Sequence, residues 1–333
     1  MSNGTIIDYG KLSAVPRLLM EAELKPLQGD RFQPTGFADL GAARYTLPDG
    51  AEMLVVESAQ SVANRMELAC WDDEKNDYIN ELKGLPFIRV NYGPQSITNS
   101  VLEAHRINSE YIMNTPFKGL FSQEIKCQKD MPIDWLLLRK TLLKYDIGSL
   151  LHGSFLEEID GRLRITRAIS GFIEARDVSV AENGGVKNNF VQPTLKQGEG
   201  NVPFHRTEFT AKTITAYFNL DLALLRGYGL NENATKLLIA LSLFKVRRFL
   251  STGLRLRTAC DLDCISLKVT RPEDFVIPDE QVLLTECTRL IAACKSDGLF
   301  ADPAVTVVTW EPSAKKGKTK DSDEDNQDEE AAV

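Results

Sequence analysis

The strand and helix signals along the chain predict an α+β fold, an antiparallel sheet with helices packed on one face. Three observations predict it. Hairpin signals stand beside helices instead of alternating strictly with them. Residues 213–222 alternate apolar and polar in the manner of a half-buried strand. The most apolar helix, Ala234–Leu250, runs into a further strand just beyond Gly253.

In chain order, Arg17–Lys25 is predicted as a strand, followed by a loop over Pro26–Gly41 marked by Gly and Pro. Ala43–Leu47 and Glu52–Glu57 flank Pro48-Asp49-Gly50, a hairpin signal. Ser58–Cys70 is predicted as a helix N-capped by Ser58, its apolar side Ala59, Val62, Ala63, Met66 and Ala69. Asp134–Lys144 is a second helix. Ile214, Ala216, Phe218, Leu220 and Leu222 form the buried side of the alternating strand. Cys260–Val269 is predicted as a strand, Asp279–Ala293 as a helix and Val305–Trp310 as the last strand. Glu182–Pro203 holds four Gly and two Pro without periodicity, so a loop projecting from the body is expected there. This order suits a ferredoxin-like or RRM-like architecture with large insertions.

The chain has 333 residues, 39 Lys and Arg against 47 Asp and Glu, and 43% hydrophobic residues. This is globular composition, without an apolar run long enough to span a membrane. Met1–Val15 lacks the layout of a secretory signal. The six cysteines are expected to be reduced thiols in a cytoplasmic protein. Residues 1–15 are taken as an N-terminal extension, 16–312 as one domain, and 313–333 as a disordered tail. That tail is a Lys block followed by an acidic block, with no aromatic or branched aliphatic residue before Val333. Its 4 Lys and 7 acids removed, the body keeps 35 basic against 40 acidic residues, so a nucleic-acid site must be a local patch.

Catalytic motifs are missing. There is no GxGxxG, no phosphate-binding GxxxxGK[ST], no GxSxG elbow and no HExxH. Cys260/Cys264 and Cys287/Cys294 do not have zinc-knuckle spacing; Cys260 and Cys264 fall on one side of a strand as core thiols. His105, His152 and His205 have no recognisable acid or nucleophile motif nearby. No metal or cofactor is predicted.

Three groups of residues point to a polyanion. Lys245, Arg247, Arg248, Arg255 and Arg257 lie in an acid-free stretch, 245–257. The first three also suit a helix C-terminus. In Leu254-Arg255-Leu256-Arg257 the arginines share a side, either to hold successive phosphates or as a solvated, ion-paired face. Gln60, Ser61, Asn64 and Arg65 give the capped helix an amide-rich polar side, able to hold phosphate and sugar oxygens. Lys187, Asn188, Asn189, Phe190 and Lys196, followed by His205 and Arg206, would suit a single-stranded backbone and an unstacked base; a plain surface loop has the same composition.

The stretches RFQPTGFADLGAARY (31–45), LVVESAQSVANRME (54–67), SVLEAHRINSEYI (100–112), SLLHGSF (149–155), NVPFHRTEFTA (201–211), AYFNLDL (216–222) and GLRLRTACDL (253–262) resemble a known family. It is the backbone subunit of type I-G (formerly I-U) CRISPR Cascade complexes, the "Cas-seven" member of the RAMP superfamily. The resemblance runs from about residue 15 to 310. It implies an RRM-like palm with finger-like insertions and a thumb at about 182–203, copies that polymerise head to tail along CRISPR RNA, and guide bases left free to pair with target DNA. Other Cascade subunits would be partners, and sequence reading would fall to the guide, which requires no active site in this chain. A rival is an RNA endonuclease of type III-like character using Asp39 or Asp30 with a metal ion. A third reading is a module that binds only an acidic protein.

Overall fold

The computed structural model of the chain describes residues 6–37, 41–128, 130–188 and 201–312. Its centre is an antiparallel sheet of seven strands in the order Arg255–Arg257, Cys260–Arg271, Arg17–Pro26, Asn201–Asp221, Ile169–Asn188, Glu52–Glu57, Arg44–Thr46. The expected α+β class holds. The four long strands follow one another as fourth, first, third and second in chain order. The helices Ala59–Leu68 and Glu232–Thr252 precede the second and the fourth.

Period-two alternation decides which side of the sheet is covered. Leu18, Met20, Ala22 and Leu24 are buried, as are Ile214, Ala216, Phe218 and Leu220 opposite them, while Glu21, Tyr217 and Asn219 face outward. At Gly171 an added Cβ would come within 2.7 Å of the Phe218 ring, so only glycine fits this cross-strand site. The helix Glu232–Thr252, capped by Asn231, is buried on every side from Leu237 to Val246. A helix apolar all round must be enclosed, and Glu280–Ser296 packs against it as well.

The predicted cap is in place: Ser58 Oγ accepts from Ser61 N at 3.3 Å. At the start of the second helix Asp134 Oδ1 likewise accepts from Leu137 N at 2.9 Å. Cys260 is buried, as expected, but Cys264 is only half-buried. Residues 6–15 pack on the body through buried Ile7 and Leu12, and Tyr9 Oη donates to Glu286 Oε1 at 3.1 Å.

Glu182–Pro203 differs from the expected loop. Residues 182–188 and 201–203 are paired strand, the outer part of a long hairpin between Ile169–Asn188 and Asn201–Asp221 that closes to Asn188 opposite Asn201. The first strand reaches only Ile214 on one arm and Glu52–Glu57 only Arg176 on the other, so the arms run on beyond the sheet. A bridge from Phe32 to Phe209 braces them. Ladder hydrogen bonds across the hairpin hold Asn183-Gly184-Gly185 extended, which local propensity would not.

A smaller sheet of three strands contains the expected last strand, observed as Val305–Thr309; its other two strands were not read from the sequence. Val305–Thr309 runs parallel to Phe87–Tyr92, which pairs antiparallel with Gln95–Asn99. The tail 313–333 lies outside the described residues.

Candidate nucleic-acid interface

The helix Ala59–Leu68 buries Val62, Ala63, Met66 and Glu67, and leaves Gln60 exposed with Ser61, Asn64 and Arg65 half-exposed. Gln60 Nε2 reaches Asn64 Oδ1 at 3.4 Å, one turn along. Next to them Arg65 donates to the backbone carbonyls of Arg255 (3.3 Å) and Leu256. The helix that follows the hairpin of Arg44–Thr46 and Glu52–Glu57 is thus joined to the strand after the helix Glu232–Thr252.

One buried carboxylate completes that joint. Glu57, 2% exposed, accepts from Arg257 at 2.5 Å and stands 3.6 Å from Arg65 Nε. Arg257 also donates to the carbonyls of Gln33 (2.9 Å) and Val56 (3.2 Å). Leu254 and Leu256 are buried, as their alternation predicts, and the Arg255 side chain is exposed. Among the described residues its guanidinium has no hydrogen bond or ion pair. The two arginines of Leu-Arg-Leu-Arg therefore differ: Arg257 holds the strand to the sheet edge, and Arg255 faces solvent.

Arg167 was missed in the sequence. It is half-buried and donates to Gln60 Oε1. Among the described residues it has no carboxylate partner within ion-pair distance. Burial and the neighbouring charge of Arg106 lower its pKa, with Glu67 acting the other way. A guanidinium partly stripped of water, with no carboxylate in ion-pair contact, favours an incoming anion. The only local signal was a basic run, Arg162, Arg164 and Arg167, which looks like an ordinary solvated turn. Contacts thus run Arg167–Gln60–Asn64 along the helix and Arg65–Arg255 at its far end.

Beneath the helix lies a buried polar layer. Arg106 grips Glu67 with two hydrogen bonds, 3.1 and 2.5 Å. Asp146 Oδ2 accepts from Ser149 at 2.6 Å, and burial pushes its carboxyl up to about 6. Gly148 is required there, since an added Cβ would sit 2.8 Å from Glu67 Oε1. Lys245 Nζ donates to His152 Nε2 at 2.9 Å, and burial with the charges of Lys245 and Arg106 keeps the imidazole neutral. Through Arg106 and Glu67 this layer is tied to the helix above it.

The other sequence-predicted residues do not join this patch. Arg247 donates to the carbonyls of Ile277 and Pro278, and Arg248 to Ala69 O and Glu280. His205 pairs with Glu182, and Arg206 lies 3.7 Å from Glu208, both on the hairpin arms. Arg206 is opposite Asn183, roughly 33 Å along the arm from Ile173 at about 3.3 Å per residue. Lys187 and Asn188 sit on the same arm opposite Val202 and Asn201, while Asn189, Phe190 and Lys196 lie outside the described residues.

Of the two aspartates considered for catalysis, Asp39 is outside the described residues. Asp30 lines a polar cleft of about 310 Å³ with Arg31, Glu208 and Asp261, and Arg31 pairs with Glu208 at 3.2 Å. Among the described residues no group of three or more His, Cys, Asp or Glu is placed to hold a metal ion. No helix among them is long and apolar enough to cross a membrane.

Residues 18–180 match the sequence profile of the family described as CRISPR-associated protein GSU0053. No curated protein matches the chain. Three solved structures are similar to it at a distance. A chain of a pre-nicking CRISPR RNA-guided surveillance complex shows 14% identity and a TM-score of 0.42, over 83% of this chain and 89% of that one. A chain of another CRISPR RNA-guided surveillance complex shows 15% and 0.35, over 84% and 83%. Csc2 from Thermofilum pendens shows 10% and 0.31, over 88% and 81%.

Proposed function

With residues 18–180 matching the profile of the CRISPR-associated protein GSU0053 family, we propose that this chain is the RNA-binding backbone subunit of a Cascade complex of type I-G. Copies polymerise head to tail along CRISPR RNA, together with other Cascade subunits, in the cytoplasm. The observation that carries the reading is the joint at Glu57. It brings the block Glu57–Arg65 against Gly253–Leu262, and the resulting surface presents amides, a hydroxyl and the cations Arg167 and Arg255. Such a surface grips phosphate and sugar without reading bases. Sequence is then read by the guide as it pairs with target DNA.

The strand order of the central sheet supports an RRM-like palm, and the hairpin arms support a thumb carried beyond it. The subunit is non-catalytic in this reading. Copies co-expressed with a CRISPR array and its processing subunit should retain guide RNA of uniform length, or a regular ladder, after nuclease treatment. A folded protein without protected RNA would remove the proposal. Cleavage of target RNA that Asp30→Ala or Asp39→Ala abolishes would replace it with the nuclease reading.

A further inference from the structure

The small sheet ends in two strands, Val305–Thr309 and Gln95–Asn99. Among the described residues neither pairs with a further strand on its outer side. Their sequences, Val-Thr-Val-Val-Thr and Gln-Ser-Ile-Thr-Asn, contain no charge and no proline. Soluble proteins usually protect a strand edge with charges, proline, a bulge or a covering element, because its free N–H and C=O groups template pairing with another chain. The edge strands of the main sheet follow that rule, with Arg44 on one and Arg255 and Arg257 on the other. Val305–Thr309 has no such protection. Gln95–Asn99 has only a one-residue slip at Ile97, of a kind that re-aims a side chain.

Beside Val305–Thr309 lies an open groove of about 600 Å³, lined by Pro116, Phe117, Leu120 and Val307. Leu120 is 44% exposed and Val307 55%. Ile97, on the opposite edge of the same sheet, is 43% exposed. An acceptor edge beside an apolar groove and a donor edge with an apolar side chain thus form the two edges of one sheet.

We infer that these two edges form the junction between successive copies of this chain, Gln95–Asn99 of one copy adding to Val305–Thr309 of the next. The inference rests on the proposed backbone role and assigns its surface. Strand direction follows from the sheet itself. Gln95–Asn99 runs opposite to Val305–Thr309 within a copy, so a head-to-tail repeat makes the new pair antiparallel. With the centres aligned, the partner's Ile97 faces Val307 and enters the groove, and the partner's Gln95 lies beside Thr309. The contact is heterologous and propagates. A five-residue pair is weak alone, so copies associate stably only when they also share one RNA.

The test uses the full chain with Cys127→Ser and Cys264→Ser, which remove the two half-exposed thiols, and adds Thr309→Cys and Gln95→Cys for a short bis-maleimide. On a guide-length RNA the expected product is a ladder of cross-linked multimers. Val307→Lys or Ile97→Lys in that background should each abolish the ladder, and mixing the two variants should restore dimers and nothing longer. RNA binding with no ladder overturns the junction and leaves the guide-binding reading standing. A ladder from a protein that binds no RNA supports the junction and removes the guide-binding reading. Neither ladder nor RNA overturns both.

Discussion

Arg65 and Arg257 converge on one carboxylate oxygen, Glu57 Oε2, at 3.6 and 2.5 Å. One comes from the capped helix and the other from the strand beyond the core helix. The carboxylate is buried and both guanidinium groups are largely covered, so the group holds two distant segments in one orientation.

Glu57→Gln keeps the shape and removes the charge, leaving two guanidinium groups facing each other. Breaking a fully buried pair costs about 3–5 kcal/mol; with both arginines partly in water, about 2 kcal/mol is expected. Thermal unfolding should show a Tm lower by several degrees. An unchanged Tm would mean that the joint carries no stability.

Arg255 and Arg167 should behave in the opposite way. Replacing either with Ala should leave Tm nearly unchanged and weaken RNA binding. The slope of log K against log salt should become shallower by about 0.7 for each phosphate of a single strand that the variant no longer neutralises. Arg257→Ala should lower Tm. If instead the Arg255 and Arg167 variants bind RNA with the wild-type slope, neither touches phosphate.

Two buried groups give opposite pH dependences. Asp146 has its pKa raised by burial from 3.8 to about 6, so the folded state binds the proton more tightly than the unfolded chain. Its contribution to stability is present below pH 3.8 and is lost as pH rises through about 6. His152 is lowered from 6.5, so its contribution is present above that pH and is lost on acidification. Asp146→Asn should therefore stabilise the protein more at pH 8 than at pH 4, by up to about 3 kcal/mol. Equal effects at both pH values in urea unfolding would show that the buried carboxyl is not shifted.

The hairpin can be shortened without disturbing its arms. Replacing residues 189–200 with Asn-Gly, a two-residue turn between Asn188 and Asn201, should preserve the fold. Bound RNA should then lose part of its nuclease protection. Undiminished protection would show that the arm does not act as a thumb.

Much of the fold was legible because its signals are local. Alternation marked the inner half of Asn201–Asp221, Ser58 marked a helix start, and the strand over Arg17–Lys25 and the helices over Asp134–Lys144 and Asp279–Ala293 were read close to where they stand. The outer hairpin arms and two strands of the small sheet, Phe87–Tyr92 and Gln95–Asn99, were not legible. Asn183-Gly184-Gly185 has poor strand propensity, and Gln95–Asn99 is short and polar; both are extended because another strand completes their hydrogen bonds.

By itself the sequence determined the α+β class, the polar side of the capped helix, and the concentration of cations at 245–257. Tertiary structure alone decided which of those cations are available. Arg247, Arg248 and Arg257 meet carbonyls and carboxylates from residues 277–280, 69, 33 and 56–57, Lys245 is buried against His152, and Arg255 meets none of these. It also placed Arg167 against Gln60. Spacing along a chain reports which side chains share a face, whereas the counter-charges that neutralise them arrive from distant segments when the sheet closes.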